Sequence, residues 1–134
     1  MSRSYRKGYS LELAAKRLLE EEGAKVIRFA GSKPIDLFFK VGSRMFAAEC
    51  KNVTSNETRI YIPEDEVKKL EEIAEFFGAE PVIIFSFRKQ RPRVAFIQDL
   101  ARARRSLRIE KGEGIPLREF VRRVRARSLE EFTS

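Results

Sequence analysis

The chain has no histidine and only one cysteine. The missing histidine excludes Ser-His-Asp triads, histidine-bearing zinc sites and histidine general bases. A single cysteine forms neither an internal disulfide nor a zinc cage. If the chain is an enzyme, its chemistry must therefore come from carboxylates, lysine, serine or tyrosine.

The sequence also lacks any apolar run that approaches the roughly 20 residues of a membrane span. Its start carries no charged region followed by an apolar segment and a small-residue cleavage site. We therefore expect a cytoplasmic, nucleoid-associated protein without membrane contact. The 134 residues, of which 43% are hydrophobic, fit a single domain over residues 1–134 with an ordinary core.

Acidic residues are outnumbered, and the formal net charge of +8 favours a polyanionic partner. Composition alone does not separate DNA from RNA or anionic lipid. Basic residues cluster in an N-terminal arm (1–8) and in a basic C-terminal helical segment (about 102–134). The arginines of that second segment fit a DNA path and a solvated basic face equally well.

Apolar periodicity predicts helices and strands in alternation. Ser10 is expected to cap a first helix that Gly23 ends, and Pro63 to open a second that Gly78 ends. A third helix is expected to begin at Pro116. The predicted strands cover residues 26–30, 35–40, 45–51, 59–62, 81–87 and 94–97, with a hairpin turn at 41–44.

Two carboxylates and a lysine fall in the predicted β-hairpin. Asp36 stands at the start of one strand and Glu49 near the end of the next, so the hairpin brings them side by side. Side chains alternate faces along a strand, so Glu49 and Lys51 project to one side of the sheet. Taken singly, Asp36 also fits a turn cap and Lys51 a strand-end charge. Together, with Pro34 before Asp36, they match the P-D…E-x-K pattern of metal-dependent phosphodiesterases.

Two neighbouring carboxylates without a soft ligand favour a hard cation, Mg²⁺ or Mn²⁺. We expect Asp36 and Glu49 to be direct ligands, with the backbone carbonyl of Cys50 as a third. A bound metal makes water acidic enough to act as the nucleophile that a protein without histidine otherwise lacks. Lys51 is expected to orient that water and to stabilise charge developing on the phosphate.

Four further residues are candidates around this centre. At about 100° per residue, Glu12 lies at the edge of the first helix's apolar stripe, where it is a candidate for a second metal. A solvated acid favoured by the helix dipole fits that position equally well. Ser32 and Lys33 occupy the turn before Asp36 and are candidate phosphate contacts, although a serine there is also ordinary turn chemistry. Arg28 is a residue type that binds phosphate in a bidentate manner.

Several short segments occur in one order along the chain: Tyr5-Arg6-Lys7-Gly8, Glu12, Arg28, Ala30-Gly31-Ser32-Lys33, Asp36, Glu49-x-Lys51 and Phe77-Gly78. Together they resemble the archaeal Holliday junction resolvase (Hjc) family of the PD-(D/E)xK nuclease superfamily, from residue 5 to about residue 124. This set is more specific than the P-D…E-x-K core, which many nucleases share. Leu13 departs from it, because some relatives carry an arginine after the helix glutamate.

The resemblance implies an α/β fold with a restriction-endonuclease-like central mixed β-sheet flanked by helices. It implies a homodimer whose two metal sites cut opposed strands of a four-way DNA junction by symmetric nicks, in recombination and repair. Mg²⁺ is the expected cofactor, with Mn²⁺ as its substitute. A sliding clamp or other repair proteins are further partners that we expect for such an enzyme.

The resemblance also implies roles for individual residues. Catalytic roles fall to Glu12, Ser32, Asp36, Glu49 and Lys51, with Ser32 in a mobile loop near the scissile phosphate. Metal ligands are then Glu12, Asp36 and Glu49, and DNA contacts are Arg6, Lys7, Arg28 and Lys33. Dimer contacts in the family involve the second helix, which favours an interface over plain core for Ile73, Phe76 and Phe77.

Two other functions stay open from the sequence. One is a related PD-(D/E)xK nuclease that acts on linear, mismatched, damaged or otherwise branched duplex DNA. The chain lacks an added recognition domain that would read sequence, which counts against that function. The other is a non-catalytic binder of branched DNA, which the intact set of expected catalytic positions disfavours.

Overall fold

The structure is a computed structural model that describes residues 2–29 and 35–133, and only the backbone of residues 2–10 and 130–133. Its three helices are α1 (Ser2–Glu21), α2 (Glu64–Phe76) and α3 (Leu117–Thr133). The strands are β1 (Lys25–Arg28), β2 (Leu37–Val41), β3 (Arg44–Asn52), β4 (Arg59–Pro63), β5 (Glu80–Ser86), β6 (Arg93–Phe96), β7 (Ala101–Ala103), β8 (Ser106–Glu110) and β9 (Ile115–Pro116). No helix of these described residues is long and apolar enough to cross a membrane.

A six-stranded mixed sheet forms the centre of the molecule, with strand order β1-β2-β3-β5-β6-β9. Neighbouring strands are antiparallel except β3 and β5, which run parallel. The connection between those two parallel strands contains β4 and α2, as a parallel crossover requires. The expected α/β architecture, a central mixed sheet flanked by helices, is confirmed.

Alternation along the strands divides the hydrophobic core between the two faces of this sheet. On one face Phe46 and Ala48 of β3 pack with residues of α1 and α3, and the ring of Phe46 stacks on Phe39 at 5.0 Å. On the other face Ala47 packs with α2 and with the strands of a second sheet. Side chains alternate along β3, so Glu49 and Lys51, two and four residues after Ala47, lie on the same face as Ala47, which α2 covers.

The first helix begins much earlier than the sequence pattern predicted. It runs from Ser2, so Ser10 lies inside it rather than at its N-cap, and the predicted arm over residues 1–8 is largely helical backbone. Gly8 costs such a helix only about 1 kcal/mol relative to alanine, which a 20-residue helix tolerates. The side chains of Arg6 and Lys7 lie outside the described residues.

The predicted C-terminal helical segment is correct only from Leu117 onward. Residues 102–116 instead contribute to β7, β8 and β9, and β8 lies between β4 and β7 in a separate three-stranded sheet. Along β8, Leu107 and Ile109 are buried and alternate with the partly exposed residues Ser106, Arg108 and Glu110. This alternation with a period of two is typical of a strand, whereas the predicted segment was helical.

Candidate active site

Asp36 and Glu49 lie opposite each other across the β2–β3 hairpin. The antiparallel register pairs Leu37 with Ala48, and the backbone nitrogen of Asp36 donates to the carbonyl oxygen of Ala48 at 3.0 Å. Asp36 directly precedes β2 and Glu49 directly follows Ala48, so the two carboxylates lie close together at this end of the hairpin. Gly42, with a φ of +60° that favours glycine, makes the tight turn that sets this register. The predicted juxtaposition is confirmed.

A side-chain hydrogen bond fixes the aspartate against β3. The backbone nitrogen of Cys50 donates to Oδ2 of Asp36 at 2.7 Å. That nitrogen lies between Glu49 and Lys51, so the carboxylate of Asp36 is held beside both. The thiol of Cys50 points away, since Cys50 packs against the core on the opposite face of the sheet.

The carboxylate of Glu49 is partly withdrawn from water. Its Oε2 atom is buried and has no hydrogen-bond partner among the described residues. Burial raises the pKa of Glu49 to about 7; the negative charges of Glu66 and Asp36 act in the same direction, and the ammonium of Lys51 opposes them. A cation placed here would recover the electrostatic cost of keeping this carboxylate charged.

Lys51 forms an ion pair that the sequence did not predict. Its Nζ atom lies 3.0 Å from Oε1 of Glu66 on α2, and both side chains are about one-third exposed. Burial lowers the pKa of Lys51, but the hydrogen bond to Glu66 and the charges of Glu49, Glu66 and Asp36 outweigh burial and raise it overall. The amine is therefore held charged between the sheet and α2.

A pattern already present in the sequence could have identified Glu66. It lies four residues before Leu70 and seven before Ile73, on the same helical face as the residues that α2 packs against the sheet. Glu12 likewise lies beside the apolar stripe of its helix, and this position makes Glu12 a candidate site residue. Glu66 is also one of three acids in the first turn of α2, with Glu64 and Asp65, and such acids are common at a helix start.

The donor set fits a hard divalent cation. Asp36 and Glu49 supply carboxylate oxygens, and the unpartnered Oε2 of Glu49 is the kind of atom that a cation satisfies. Within residues 2–29 and 35–133, however, no three side chains of the metal-binding types converge closely enough to hold an ion. The protein thus presents a pair of carboxylates rather than a closed cage.

Glu12 is paired with Arg28 in this structure. Oε1 of Glu12 lies 3.3 Å from Nε of Arg28, and both side chains are only about one-fifth exposed. The pair joins α1 to the edge strand β1, on the α1 side of the sheet. Glu12 is not assembled with Asp36 and Glu49 into a three-carboxylate group of the described residues, so its metal role stays a prediction.

Two candidate phosphate contacts, Ser32 and Lys33, lie outside the described residues. Ile35, which follows them among the described residues, has a buried side chain. The backbone nitrogen of Phe29 donates to the carbonyl oxygen of Asp36 at 3.0 Å. The predicted roles of these residues in DNA contact stay predictions.

Apolar side chains are exposed at the end of α2. Phe76 is 82% exposed and Phe77 52% exposed, whereas Ile73 is partly buried against the core. The ring of Phe77 contacts that of Phe38 at 5.0 Å. Phe38 pairs with Ile27 of the edge strand β1, and Ile27 is 61% exposed. We call these five residues the apolar patch.

Several arginines of the C-terminal segment are engaged in ion pairs within the chain. Arg118 and Arg122 of α3 both bind the carboxylate of Glu22 at the end of α1. Arg123 pairs with Glu119 at 3.0 Å along the same helix. These contacts favour a structural role for that part of the arginine-rich segment over a DNA path.

Comparisons with known proteins assign the chain to a family. The family model described as archaeal Holliday junction resolvase (Hjc) matches residues 3–129. A Methanocaldococcus jannaschii protein named crossover junction endodeoxyribonuclease Hjc is 44% identical over 87 residues, which span 65% of this chain and 64% of that protein. The structure of Archaeoglobus fulgidus Hjc, a Holliday junction resolvase, is similar with a TM-score of 0.76 at 26% identity, covering 84% of this chain and 98% of that one. The chain therefore belongs to the archaeal Holliday junction resolvase family.

Proposed function

We propose that this protein is a structure-selective endonuclease that resolves four-way DNA junctions by hydrolysing phosphodiesters in opposed strands. One observation carries the proposal: in a chain of this family, the β2–β3 hairpin sets Asp36 opposite Glu49, and a buried oxygen of Glu49 has no partner among the described residues. We place its action on DNA in the cytoplasm, in recombination and repair.

Mg²⁺ is the proposed cofactor, with Mn²⁺ as a substitute. Both are hard cations that favour carboxylate, carbonyl and water oxygens. When bound, such an ion supplies a water that is nucleophilic near neutral pH and neutralises charge on the phosphate. Asp36 and Glu49 would hold it, and the carbonyl of Cys50 is a third candidate.

The remaining groups of the site orient and stabilise. Lys51, charged and held by Glu66, presents a cation on the same face as Glu49, where negative charge develops on the phosphate. Arg28 and Glu12 form a pair at the sheet edge whose guanidinium is a candidate DNA contact. We keep Ser32, Lys33, Arg6 and Lys7 as proposed contacts to DNA, and Glu12 as a proposed third acid.

We propose a homodimer because resolving a junction requires two cuts, one in each of two opposed strands. One chain carries one Asp36–Glu49 pair, so paired nicks in opposed strands require a second copy. The apolar patch supports an interface at the end of α2 and the edge strand β1, because it combines exposed phenylalanines with a strand that has a single neighbour among the described strands. Ile73, Phe76 and Phe77 are the proposed central contacts.

The function is tested by incubating the protein with a four-way junction, a nicked duplex and a linear duplex, each in Mg²⁺ and in EDTA. We expect symmetric nicks in the junction in Mg²⁺ and uncut DNA in EDTA. Equal cutting of all three substrates would contradict junction selectivity and favour a general duplex nuclease. Junction binding without cutting in Mg²⁺ would contradict the enzyme assignment.

A further inference from the structure

An open polar cleft of about 390 Å³ lies between three loop segments. It is lined by residues 55–57, residues 88–90 and Lys111, and we call it the loop cleft. Hydrogen bonds connect the segments that form the cleft. The backbone nitrogen of Lys111 donates to the carbonyl oxygen of Thr58 at 2.9 Å. The hydroxyl of Ser86 likewise donates to the carbonyl oxygen of Gln90 at 2.9 Å.

The loop cleft lies beyond the ends of β3 and β5 that are nearest to the carboxylate pair. The two strands are parallel and end level, with Asn52 opposite Ser86. Ser55 is four residues after Lys51, and an extended chain spans about 3.5 Å per residue, so it lies within roughly 14 Å of the lysine. Since a DNA strand rises about 3.4 Å per nucleotide, one strand can reach both places within about four nucleotides.

Positive charge dominates the loop cleft. Its cations are Arg88, Lys89 and Lys111, against the single acid Glu57. The carboxylate of Glu57 accepts a hydrogen bond from the hydroxyl of Ser55 at 3.2 Å. Within the part of the chain that the structure describes, none of the three cations forms a salt bridge. Arg118 and Arg122, in contrast, are both paired with the carboxylate of Glu22.

The side chain of Arg88 and the backbone of Lys89 are both held in defined conformations. Nη1 of Arg88 donates to Oδ1 of Asn56 at 2.8 Å, which ties the guanidinium across the cleft. A guanidinium carries five N–H donors, so the others can serve a second acceptor. Lys89 has a φ of +64°, a conformation that glycine and asparagine adopt more easily. The turn thus tolerates an unfavourable backbone conformation at a position that carries a positive charge.

We propose that the loop cleft binds a backbone phosphate of the DNA strand that enters the carboxylate site. Arg88, Lys89 and Lys111 neutralise the phosphate. The proposal rests on the proposed nuclease function, because it assigns a DNA contact to the same substrate. It concerns substrate binding and leaves the reacting atoms to the Asp36–Glu49 centre.

The test is a triple variant that carries Arg88→Gln, Lys89→Gly and Lys111→Gln. Glycine at position 89 suits the positive φ, so this change removes charge without adding backbone strain. Binding to a four-way junction is measured in EDTA over a series of salt concentrations. Losing the one phosphate contact of each cleft should make the slope of log K against log salt shallower by about 0.9 per chain, which is about 1.8 for the proposed dimer.

A matched triple variant controls for net charge. Arg17→Gln, Lys25→Gln and Lys40→Gln remove the same charge from exposed positions. Lys25 pairs with Lys40 across β1 and β2, near the hairpin turn and away from Asp36. This control should keep the wild-type salt slope.

Cleavage in Mg²⁺ separates the proposed cleft from the proposed function. At saturating protein the cleft variant should cut a junction at about the wild-type maximal rate, with the half-saturating concentration raised. An unchanged salt slope in the cleft variant, or an equal decrease in the control, would overturn the phosphate site. A wild-type protein that binds junctions but never cuts them would overturn the nuclease function instead, and would leave the salt slopes as an independent result.

Discussion

Oδ2 of Asp36 accepts a hydrogen bond from the backbone nitrogen of Cys50 at 2.7 Å, so the residue that precedes β2 is tied to β3 between Glu49 and Lys51. The carboxylate of Asp36 has two properties that substitutions can separate, an acceptor oxygen and a negative charge. Its oxygen fixes the geometry of the hairpin end, and its negative charge is proposed to bind a cation. Substitutions that keep one of these properties and remove the other should therefore have different effects.

Asp36→Asn keeps an acceptor oxygen for Cys50 and removes the negative charge. We expect junction binding to persist while cleavage in Mg²⁺ falls by roughly a hundredfold or more, the scale of losing one electrostatic contact with a developing charge. Gel assays of binding in EDTA and of nicking in Mg²⁺ measure the two effects. Asp99→Asn, at an exposed position, is the control and should leave both unchanged. Full cleavage by Asp36→Asn would mean that Asp36 is not a metal ligand.

Glu66→Gln tests the ion pair that holds Lys51. The side chains are about one-third exposed, so the pair contributes on the order of 0.2–1 kcal/mol. If that energy serves the positioning of Lys51, the maximal cleavage rate should fall by about 1.4- to fivefold with little change in half-saturation. Glu64→Gln, in the same turn of α2 but exposed, should have no effect. A change in melting temperature without a change in rate would make the pair purely structural.

Glu22 links α1 to α3 and predicts a pH dependence of stability. Hydrogen bonds from Arg122 and Arg118 hold the pKa of Glu22 below its usual value of 4.5. Because the pKa is lower in the folded state, this carboxylate stabilises the fold above about pH 4.5, and the contribution is lost as the pH falls through the lowered value. Glu22→Gln should therefore lower the melting temperature at pH 7.

The same comparison at about pH 2 should show nearly equal melting temperatures for Glu22→Gln and wild type, because the carboxyl is then protonated in both folded and unfolded chains. Glu20→Gln is the control, since Glu20 makes only an exposed pair with Lys16 on its own helix. A difference between Glu22→Gln and wild type that is equally large at both pH values would show that packing, not charge, accounts for the effect.

Phe76→Asp tests the apolar patch as a dimer interface. Phe76 is 82% exposed in a single chain, so its replacement should leave the fold of the chain intact. A central aromatic anchor contributes about 2 kcal/mol or more, so the dimer Kd should rise about thirtyfold or more. Light scattering across a concentration series measures the change, and paired nicking should fall with the dimer.

Tyr61→Asp is the control for the dimer test. Tyr61 is 52% exposed on β4, in the three-stranded sheet, and is not part of the apolar patch. It should leave the dimer Kd unchanged. A wild-type chain that is monomeric at all concentrations, or a Phe76→Asp variant that dimerises like wild type, would exclude this interface.

The sequence pattern was most informative where local periodicity and turn chemistry agreed. The β2–β3 hairpin follows from alternating apolar residues around a turn at Gly42, and that local register alone brings Asp36 beside Glu49. The buried strand β5 likewise follows from a continuous apolar run, of which Val82 to Phe85 are fully buried. Neither prediction needed knowledge of distant contacts.

Predictions were wrong or incomplete where distant contacts decide the structure. Leu107 and Ile109 form strand β8 because β4 and β7 lie on either side of it, and β4 is more than 40 residues away in the chain. Glu66 became part of the site because the crossover places α2 against the face that carries Lys51. Arg118 and Arg122 bind Glu22, a partner about 100 residues earlier in the chain.

The sequence by itself determined the carboxylate pair, the lysine beside it and the kind of chemistry they support, because a hairpin register is a local property of the chain. Only the tertiary structure decided which groups surround them. Packing of α2 on the sheet brought Glu66 to Lys51, and the level ends of β3 and β5 placed the loop cleft next to the site. The effects of burial and charge act through space, so they were fixed only when the distant segments had packed together.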